Sequence, residues 1–400
     1  MKPSLLSIIL TATLLGTGCQ QTSSQLGNTQ PEEQKTMRVA TFNVSMEATN
    51  YQIEDKLDTS GNVLTNALKS GEVQQINNIA QIIQQTRPDI ILLNEFDYIA
   101  NPELGINLFK QQYLEVSQNG FEPITYPHVY LAPVNTGVKT PLTGQNSKLT
   151  HYGFGKYPGQ YGMVVLSKYP INSNQVRTFQ KFLWKDMPDN LMPTNQDGSN
   201  WYAKSESEIM RLSSKSHWDI PVRVCDKQLN VLASHPTPPV FDGPEDRNGK
   251  RNHDELRLWK DYISDSGNSY IYDDAGITGG ISNQSFVILG DLNASDVDGD
   301  AHPNAIRQLL THQRVNNYAA PESRGGKLNK PQNPNAATHT AHWGMRADYV
   351  LPSSNLEVVN SGVFWPATDE QGIELVADRA ASSDHRLVWV DIALSSICSK

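Results

Sequence analysis

The sequence predicts an α/β fold in which β-sheets pack together and helices cover the outside. Three observations point there. Eight short segments rich in Val, Ile and Leu, each bounded by turn formers, have strand character. Helical periodicity appears in the stretches between them. No internal repeat and no second linker interrupts the chain after residue 37, so one domain is expected over 37–395.

The N-terminal segment lies outside that domain. "MKPSLLSIILTATLLGTGC" has Lys2, an apolar stretch from Leu5 to Leu15 and small residues before Cys19. The stretch is too short to span a membrane and reads as a targeting segment. It resembles the bacterial lipoprotein signal, with Cys19 as the lipidated residue, although Leu15 stands one place earlier than the usual Leu. An ordinary secretory signal is the alternative. Residues 20–36, "QQTSSQLGNTQPEEQKT", are polar and aperiodic and read as a tether. The expectation is export, with lipid anchoring in the outer membrane suggested by Gln20 after the cysteine; otherwise the protein is periplasmic or secreted.

Within the domain, "MRVATFNV" is the first strand. "GEVQQINNIAQIIQQTRPD" places Val73, Ile76, Ile79, Ala80 and Ile83 on one helical face, and Pro88 ends it. "DIILLNEFD" is a strand, "NLFKQQYLEV" a helix and "GMVVLSKYPI" a strand. "IPVRV" and "LNVLASH" follow as strands, "NHDELRLWKDYI" as a helix, "FVILGDLN" as a strand and "PNAIRQLLTH" as a helix. "ADYVLP" and "HRLVWVDI" close the set. The polar stretches 132–160, 185–218 and 236–252 are expected as surface loops, where substrate selection usually sits.

Composition narrows the class. The 400 residues are 38% hydrophobic and 19% charged, which is globular. A net charge of -9 gives no cationic footprint for tight nucleic-acid binding. A nucleic-acid substrate stays possible, because a metal ion supplies positive charge locally. Cys225 and Cys398 are either a disulfide or two buried thiols. No zinc-type Cys/His spacing occurs.

The strand ends carry the chemistry. "VATFNV" carries Asn43, "ILLNEFD" Glu95, "VLASHPT" His235, "VILGDLN" Asp291 and Asn293, "RADYVLP" Asp348, and "SSDHRLVWV" Asp384 and His385. If these ends meet at one rim, they form a pocket of carboxylates, amides and imidazoles. Such an oxygen-rich surround suits a hard divalent cation, which polarises a phosphoryl oxygen.

The ordered set "TFNV", "NE", "GMVVLSKYPI", "SH", "GDLN", "RADYVL" and "SDHR" resembles the endonuclease/exonuclease/phosphatase superfamily, which includes pancreatic deoxyribonuclease, AP endonucleases, neutral sphingomyelinases and inositol-polyphosphate phosphatases. The resemblance implies a four-layered α/β sandwich, with two mostly antiparallel sheets packed face to face, helices outside and the site at one rim. It implies Glu95 as metal ligand, Asn43 as the amide that orients it and Asp384 as a further metal-side acid. It implies Asp291 as the carboxylate that orients or deprotonates the attacking water, with Asn293 positioning water and phosphate. His385, oriented by Asp348, is implied at the phosphate; either Asp291 or His385 is the base. His235 marks the deoxyribonuclease-like, His-bearing branch and is implied to protonate the leaving oxygen. Where the family often has Gln before the metal-site Glu, this chain has Asn94.

Further residues are weaker candidates. Arg247, Asn248 and Arg251 offer a second phosphate or substrate contact, or belong to a loop whose charges pair among themselves. Trp218, after His217, offers a stacking ring or anchors its loop to the core. In "DVDGD", Asp296, Asp298 and Asp300 read as a solvated turn rather than a Ca²⁺ loop. The resulting expectation is a phosphoester hydrolase using Mg²⁺, with Mn²⁺ or Ca²⁺ as alternatives. The partners expected are a phosphoester substrate, nucleic acid or a smaller organophosphate, and the membrane through the lipid; the protein itself is expected as a monomer. A phosphodiester is preferred; the alternatives are a sugar- or inositol-phosphate monoesterase and a non-catalytic binding lipoprotein.

Overall fold

The computed structural model describes residues 34–52, 58, 62–142 and 146–398. The signal and Cys19, and the tether up to residue 33, lie outside the described residues. Among the described residues, eleven strands form two mixed sheets. They are β1 (Thr36–Met46), β2 (Ile90–Phe96), β3 (His128–Tyr130), β4 (Met163–Ser167), β5 (Arg177–Thr178), β6 (His217–Val224), β7 (Lys227–Ser234), β8 (Ser285–Asp291), β9 (Asp348–Pro352), β10 (Val358–Val363) and β11 (Val388–Ala393). The six-stranded sheet runs β10-β11-β1-β2-β4-β3 and the five-stranded sheet β5-β6-β7-β8-β9.

Each sheet contains one parallel pair, β1 with β2 and β7 with β8; every other neighbour is antiparallel. A parallel pair needs a crossover. The helix Gln74–Thr86 lies in the first crossover and the helix Arg247–Tyr262 in the second. Ile76, Ile79, Ala80 and Ile83 are buried as the sequence periodicity requires, and Arg87 ends the first helix in the left-handed region.

Alternation along the strands separates two cores. Val231 and Ala233 of β7, Val287 and Leu289 of β8 and Val350 of β9 join the cluster that includes Val39, Phe42, Ile91 and Leu93 of the six-stranded sheet. Leu232, Phe286, Ile288, Tyr349 and Leu351 face the other way and pack with Leu256, Trp259 and Tyr262 of the second crossover helix. The sheets therefore meet face to face, with helices outside, as expected.

The structure departs from the sequence reading in several places. "NLFKQQYLEV" is a single α-turn, Ile106–Phe109, running into a π-turn, Lys110–Leu114. "PNAIRQLLTH" forms helix only over Arg307–Leu310. The stretches expected as surface loops hold buried Asn135, Thr136, Gln160, Lys215 and Asn252, so they are packed rather than solvated. Trp218 is fully buried with its ring edge-on to Tyr130, which makes it a core anchor rather than a stacking ring. A disulfide joins Cys225, at the β6–β7 turn, to Cys398 in the last helix, Leu394–Cys398, across a sequence separation of 173. Closing so long a loop restrains the unfolded chain and contributes roughly 2–5 kcal/mol.

Candidate active site

Topology alone gathers the strand-end residues. Parallel strands point the same way, so the C-terminal ends of β1, β2, β7 and β8 reach one edge. Antiparallel neighbours bring their N-terminal ends to that edge. The registers show it: Asn43 pairs with Asn94, Asp291 with Asp348, His217 with Ser234 and Val388 with Thr41. Asn43, Glu95, His235, Asp291, Asp348 and His385 therefore converge although they come from six segments.

Asp291 is the centre. Its Oδ2 accepts from Asn43 Nδ2 at 3.0 Å and lies 3.3 Å from His235 Nε2 and 3.5 Å from His385 Nε2. His385 Nδ1 meets Asp348 Oδ2 at 2.9 Å. That oxygen also accepts from Thr340 Oγ1 at 2.7 Å, while Thr340 Oγ1 takes the backbone N–H of Asp348 at 3.0 Å. Asn293 sits in the left-handed region with φ 52°; its N–H donates to Asp291 Oδ1 at 3.1 Å and its amide to the Pro236 carbonyl at 3.2 Å. Asp384 is held by Arg379 at 3.1 Å and by Ser45 Oγ at 3.4 Å. Glu95 is half-buried with φ 59°, and its carboxylate makes no hydrogen bond or ion pair among the described residues.

Gly290 makes the close approach possible. Its φ is 152°, and a Cβ there would stand 2.1 Å from the Ser234 carbonyl. Any side chain would drive β7 from β8 where His235 and Asp291 meet.

The two imidazoles beside Asp291 are pushed apart. Burial lowers the pKa of His235, and the Lys215 ammonium lowers it further, so His235 is neutral. Burial opposes the charge on His385 too, but Asp348 and Asp291 outweigh it and push that imidazole up to about 10. Burial alone would raise Asp291; His385 and His235 hold it well below the usual carboxylate range. Burial lifts Asp348 to about 6. Of the two imidazoles beside Asp291, His385 is the one whose surroundings favour the proton.

A stability prediction follows. The folded pKa of His385, about 10, exceeds the ordinary 6.5, so its contribution is full below pH 6.5 and is lost as pH rises toward 10. Thermal melts of metal-free protein should show the midpoint falling across that interval, and a His385→Gln variant should flatten the fall. An equal fall in both proteins would contradict the assignment.

The donor set fits a divalent cation. One ligand atom from each of Asp291, Asp348 and His385 lies within 4.8 Å of the others. Asp348 Oδ1 is buried without a partner, and Glu95 leaves a carboxylate open at the rim beside Asn43. Carboxylate and amide oxygens of this kind suit hard cations.

The residues expected as substrate contacts have partners within the protein. Arg251 is buried and donates to the carbonyls of Leu212, Arg211 and Tyr152. Arg247 pairs with Glu245 and donates to the Phe241 carbonyl. Asn248 binds the Val240 carbonyl at 2.6 Å and the Asp242 carboxylate at 2.6 Å. In "DVDGD", Asp296 and Asp300 are exposed, but Asp298 is half-buried and holds His339 at 3.2 Å and Asn333 at 2.7 Å, so the turn is more than solvated charge.

Other residues escaped the sequence reading. Lys215 is buried just before β6, and the fields of Glu255, Glu95 and Asp291 partly offset the lowering that burial imposes on its ammonium. No described residue hydrogen-bonds that ammonium. Asn94 ties the sheets together: its Oδ1 accepts from the Asp291 N–H at 3.1 Å and its Nδ2 donates to the Ser234 carbonyl at 3.4 Å. Beneath the rim, Glu255 of the second crossover helix accepts the N–H groups of Ser214 and Thr237, at 2.7 and 2.6 Å. That pins the loops carrying Lys215 and following His235. The available signal was position, because the residue before β6 shares a rim with the residue after β7.

Residues 40–385 match the model of the Endonuclease/Exonuclease/phosphatase family. Among solved structures, an endonuclease/exonuclease/phosphatase from Beutenbergia cavernae DSM 12333 is similar at 18% identity and TM-score 0.48, covering 90% of this chain and 71% of that one. A family protein from Leptotrichia buccalis C-1013-b is similar at 14% identity and TM-score 0.44, over 89% and 99%. An AP endonuclease from Archaeoglobus fulgidus is similar at 13% identity and TM-score 0.42, over 88% and 98%. No curated protein matches the chain significantly.

Proposed function

The chain belongs to the endonuclease/exonuclease/phosphatase family, and on that premise we propose that it hydrolyses phosphodiesters outside the cytoplasm by in-line attack of water on phosphorus. Members of the family are metal-dependent phosphoester hydrolases. The observation that carries the reading is the convergence of Asn43, His235 and His385 on Asp291 Oδ2, which holds that buried carboxylate below the usual carboxylate range. Groups whose environments drive their proton affinities apart divide acid and base work between them.

The roles follow from the protonation states. Asp291, with Asn293, orients the attacking water and accepts its proton. His385, protonated and braced by Asp348, meets the charge that develops on the phosphoryl group or leaving oxygen. Neutral His235 fixes the orientation of Asp291. Lys215 adds a desolvated positive charge facing the same pocket. Glu95, Asn43 and Asp384 are the groups that would hold Mg²⁺ or a similar ion. When bound, that ion polarises a phosphoryl oxygen and offsets developing charge. The nuclease-type preference is tested by comparing a diester dye, a monoester dye and DNA in Mg²⁺. A diester rate at least about tenfold above the monoester rate is expected; faster monoester turnover would favour a phosphatase.

Export is supported by the Cys225–Cys398 disulfide, since such bonds persist in oxidising compartments. Lipidation at Cys19 would anchor the protein in the envelope. Cys19→Ser should shift it from the membrane fraction to the soluble fraction on cell fractionation; unchanged membrane association would contradict the anchor.

A further inference from the structure

Two histidines outside the rim stand side by side. His253 lies on the second crossover helix and His302 in the segment that leaves β8, and both are half-buried. We propose that they form a site for a borderline transition-metal ion such as Zn²⁺, separate from the hard-cation donors of the rim. The proposal does not rest on the diester-hydrolase reading.

The spacing fits one shared ion. The ring centroids stand 5.1 Å apart with the ring planes at 69°. Two imidazoles that bind one tetrahedral ion through nitrogens at about 2.0–2.1 Å have centroids roughly 5 Å apart. The free atoms also suit a metal. His253 Nδ1 meets Asp254 Oδ1 at 3.0 Å, and His302 Nδ1 meets the Pro303 carbonyl at 3.1 Å. Carboxylate and carbonyl oxygens accept, so each Nδ1 carries the proton and each neutral ring keeps its lone pair on Nε2. Neither Nε2 has a partner among the described residues. Metal-binding histidines use this arrangement, with an acceptor behind one nitrogen and the lone pair of the other open.

The support is built in. Asp254 is fully buried, and its second oxygen accepts from Trp184 Nε1 at 2.6 Å and from the Leu191 N–H at 2.7 Å. Those bonds fix the carboxylate that orients His253. Negative charge lies close by. Burial raises the pKa of Asp246 and His302 opposes the rise, so the two groups sit in each other's field. Asp246 folds over the first turn of the helix, where a Cβ on Gly249 would stand 2.1 Å from its Oδ1. A side chain at 249 would displace that carboxylate.

Imidazole nitrogen selects the ion. It suits Zn²⁺, Cu²⁺ or Ni²⁺, whereas Mg²⁺ takes oxygen. Water completes the coordination, and Asp246 supplies attracting charge. Bound there, the ion joins the helix to the segment after β8. The same helix already holds the rim, because Asn252 donates to the Thr237 and Leu292 carbonyls at 2.8 and 3.0 Å. The ion therefore braces the helix that positions the segments next to His235 and Asp291.

The test titrates the full chain with Zn²⁺ in excess Mg²⁺ and counts bound zinc by equilibrium dialysis. Zinc that enters the rim counts equally in every protein, so the difference between proteins reads this site. Wild type should bind one Zn²⁺ more than His253→Gln or His302→Gln, with the affinity for that ion lowered at least about tenfold in each variant. Zn²⁺ should also raise the melting midpoint of wild type more than that of either variant. His302→Gln should keep the fold, because the one hydrogen bond of His302 among the described residues that spans beyond its own segment is none, its partner being the next residue. Equal zinc binding in wild type and both variants would overturn the site. Loss in only one variant would mark a lone imidazole and overturn it as well.

Discussion

Asp291→Asn should lower kcat by about a thousandfold or more, the combined scale of a lost general base and a lost electrostatic anchor. The side chains are nearly isosteric, so the effect is chemical rather than steric. Asp291 Oδ2 serves Asn43, His235 and His385 at once. An amide cannot hold the negative charge that keeps His385 protonated, and one face of it presents N–H groups to donors. The fold should survive, because the backbone ties through Asn94 and the β8–β9 register do not use the carboxylate. Far-UV circular dichroism should match wild type while kcat falls. Turnover within about threefold of wild type would mean that another group activates the water.

Glu95→Gln should raise the Mg²⁺ concentration for half-maximal activity by at least about tenfold and lower kcat by roughly a hundredfold. The Glu95 carboxylate makes no hydrogen bond or ion pair among the described residues, which leaves its oxygens open to a cation. Neutralising it removes the strongest attraction for a cation but breaks no hydrogen bond among the described residues. The variant should therefore be at least as stable as wild type in the absence of metal, which separates metal binding from folding. An unchanged Mg²⁺ titration would place the ion elsewhere, with the Asp291 and Asp348 carboxylates as the next donors.

Much of the site was legible because chemistry and topology constrain the same residues. A Val/Ile/Leu run that ends in Asn, Asp, Glu or His places a costly polar group at the end of a buried strand. Six such ends were readable one by one, and parallel pairing explains why they meet. Lys215 was not legible: "SSK" before β6 carries no acid or imidazole, and only the antiparallel register with β7 shows that it reaches the rim. Asn94 read as a departure from a family pattern, whereas the structure makes it a tie between the sheets. The second crossover helix starts at Arg247, earlier than expected, because "RNGKR" looks like a charged loop and Asp246 gives no side-chain cap. β3 and β5, of 3 and 2 residues, are too short for any periodicity to show. β10, "VVNSGV", is an edge strand whose exposed Asn360 and half-buried Ser361 break the apolar pattern.

We propose the rim as the site of metal-dependent phosphoester hydrolysis. The most direct measurement is turnover of DNA, a diester dye and a monoester dye by the same protein in Mg²⁺, after EDTA, and after Mg²⁺ is restored. Hydrolysis is expected in Mg²⁺, with loss in EDTA, recovery on readdition, and no recovery for Asp291→Asn. Turnover indifferent to chelation, or no metal-dependent turnover of any of the three, would contradict it.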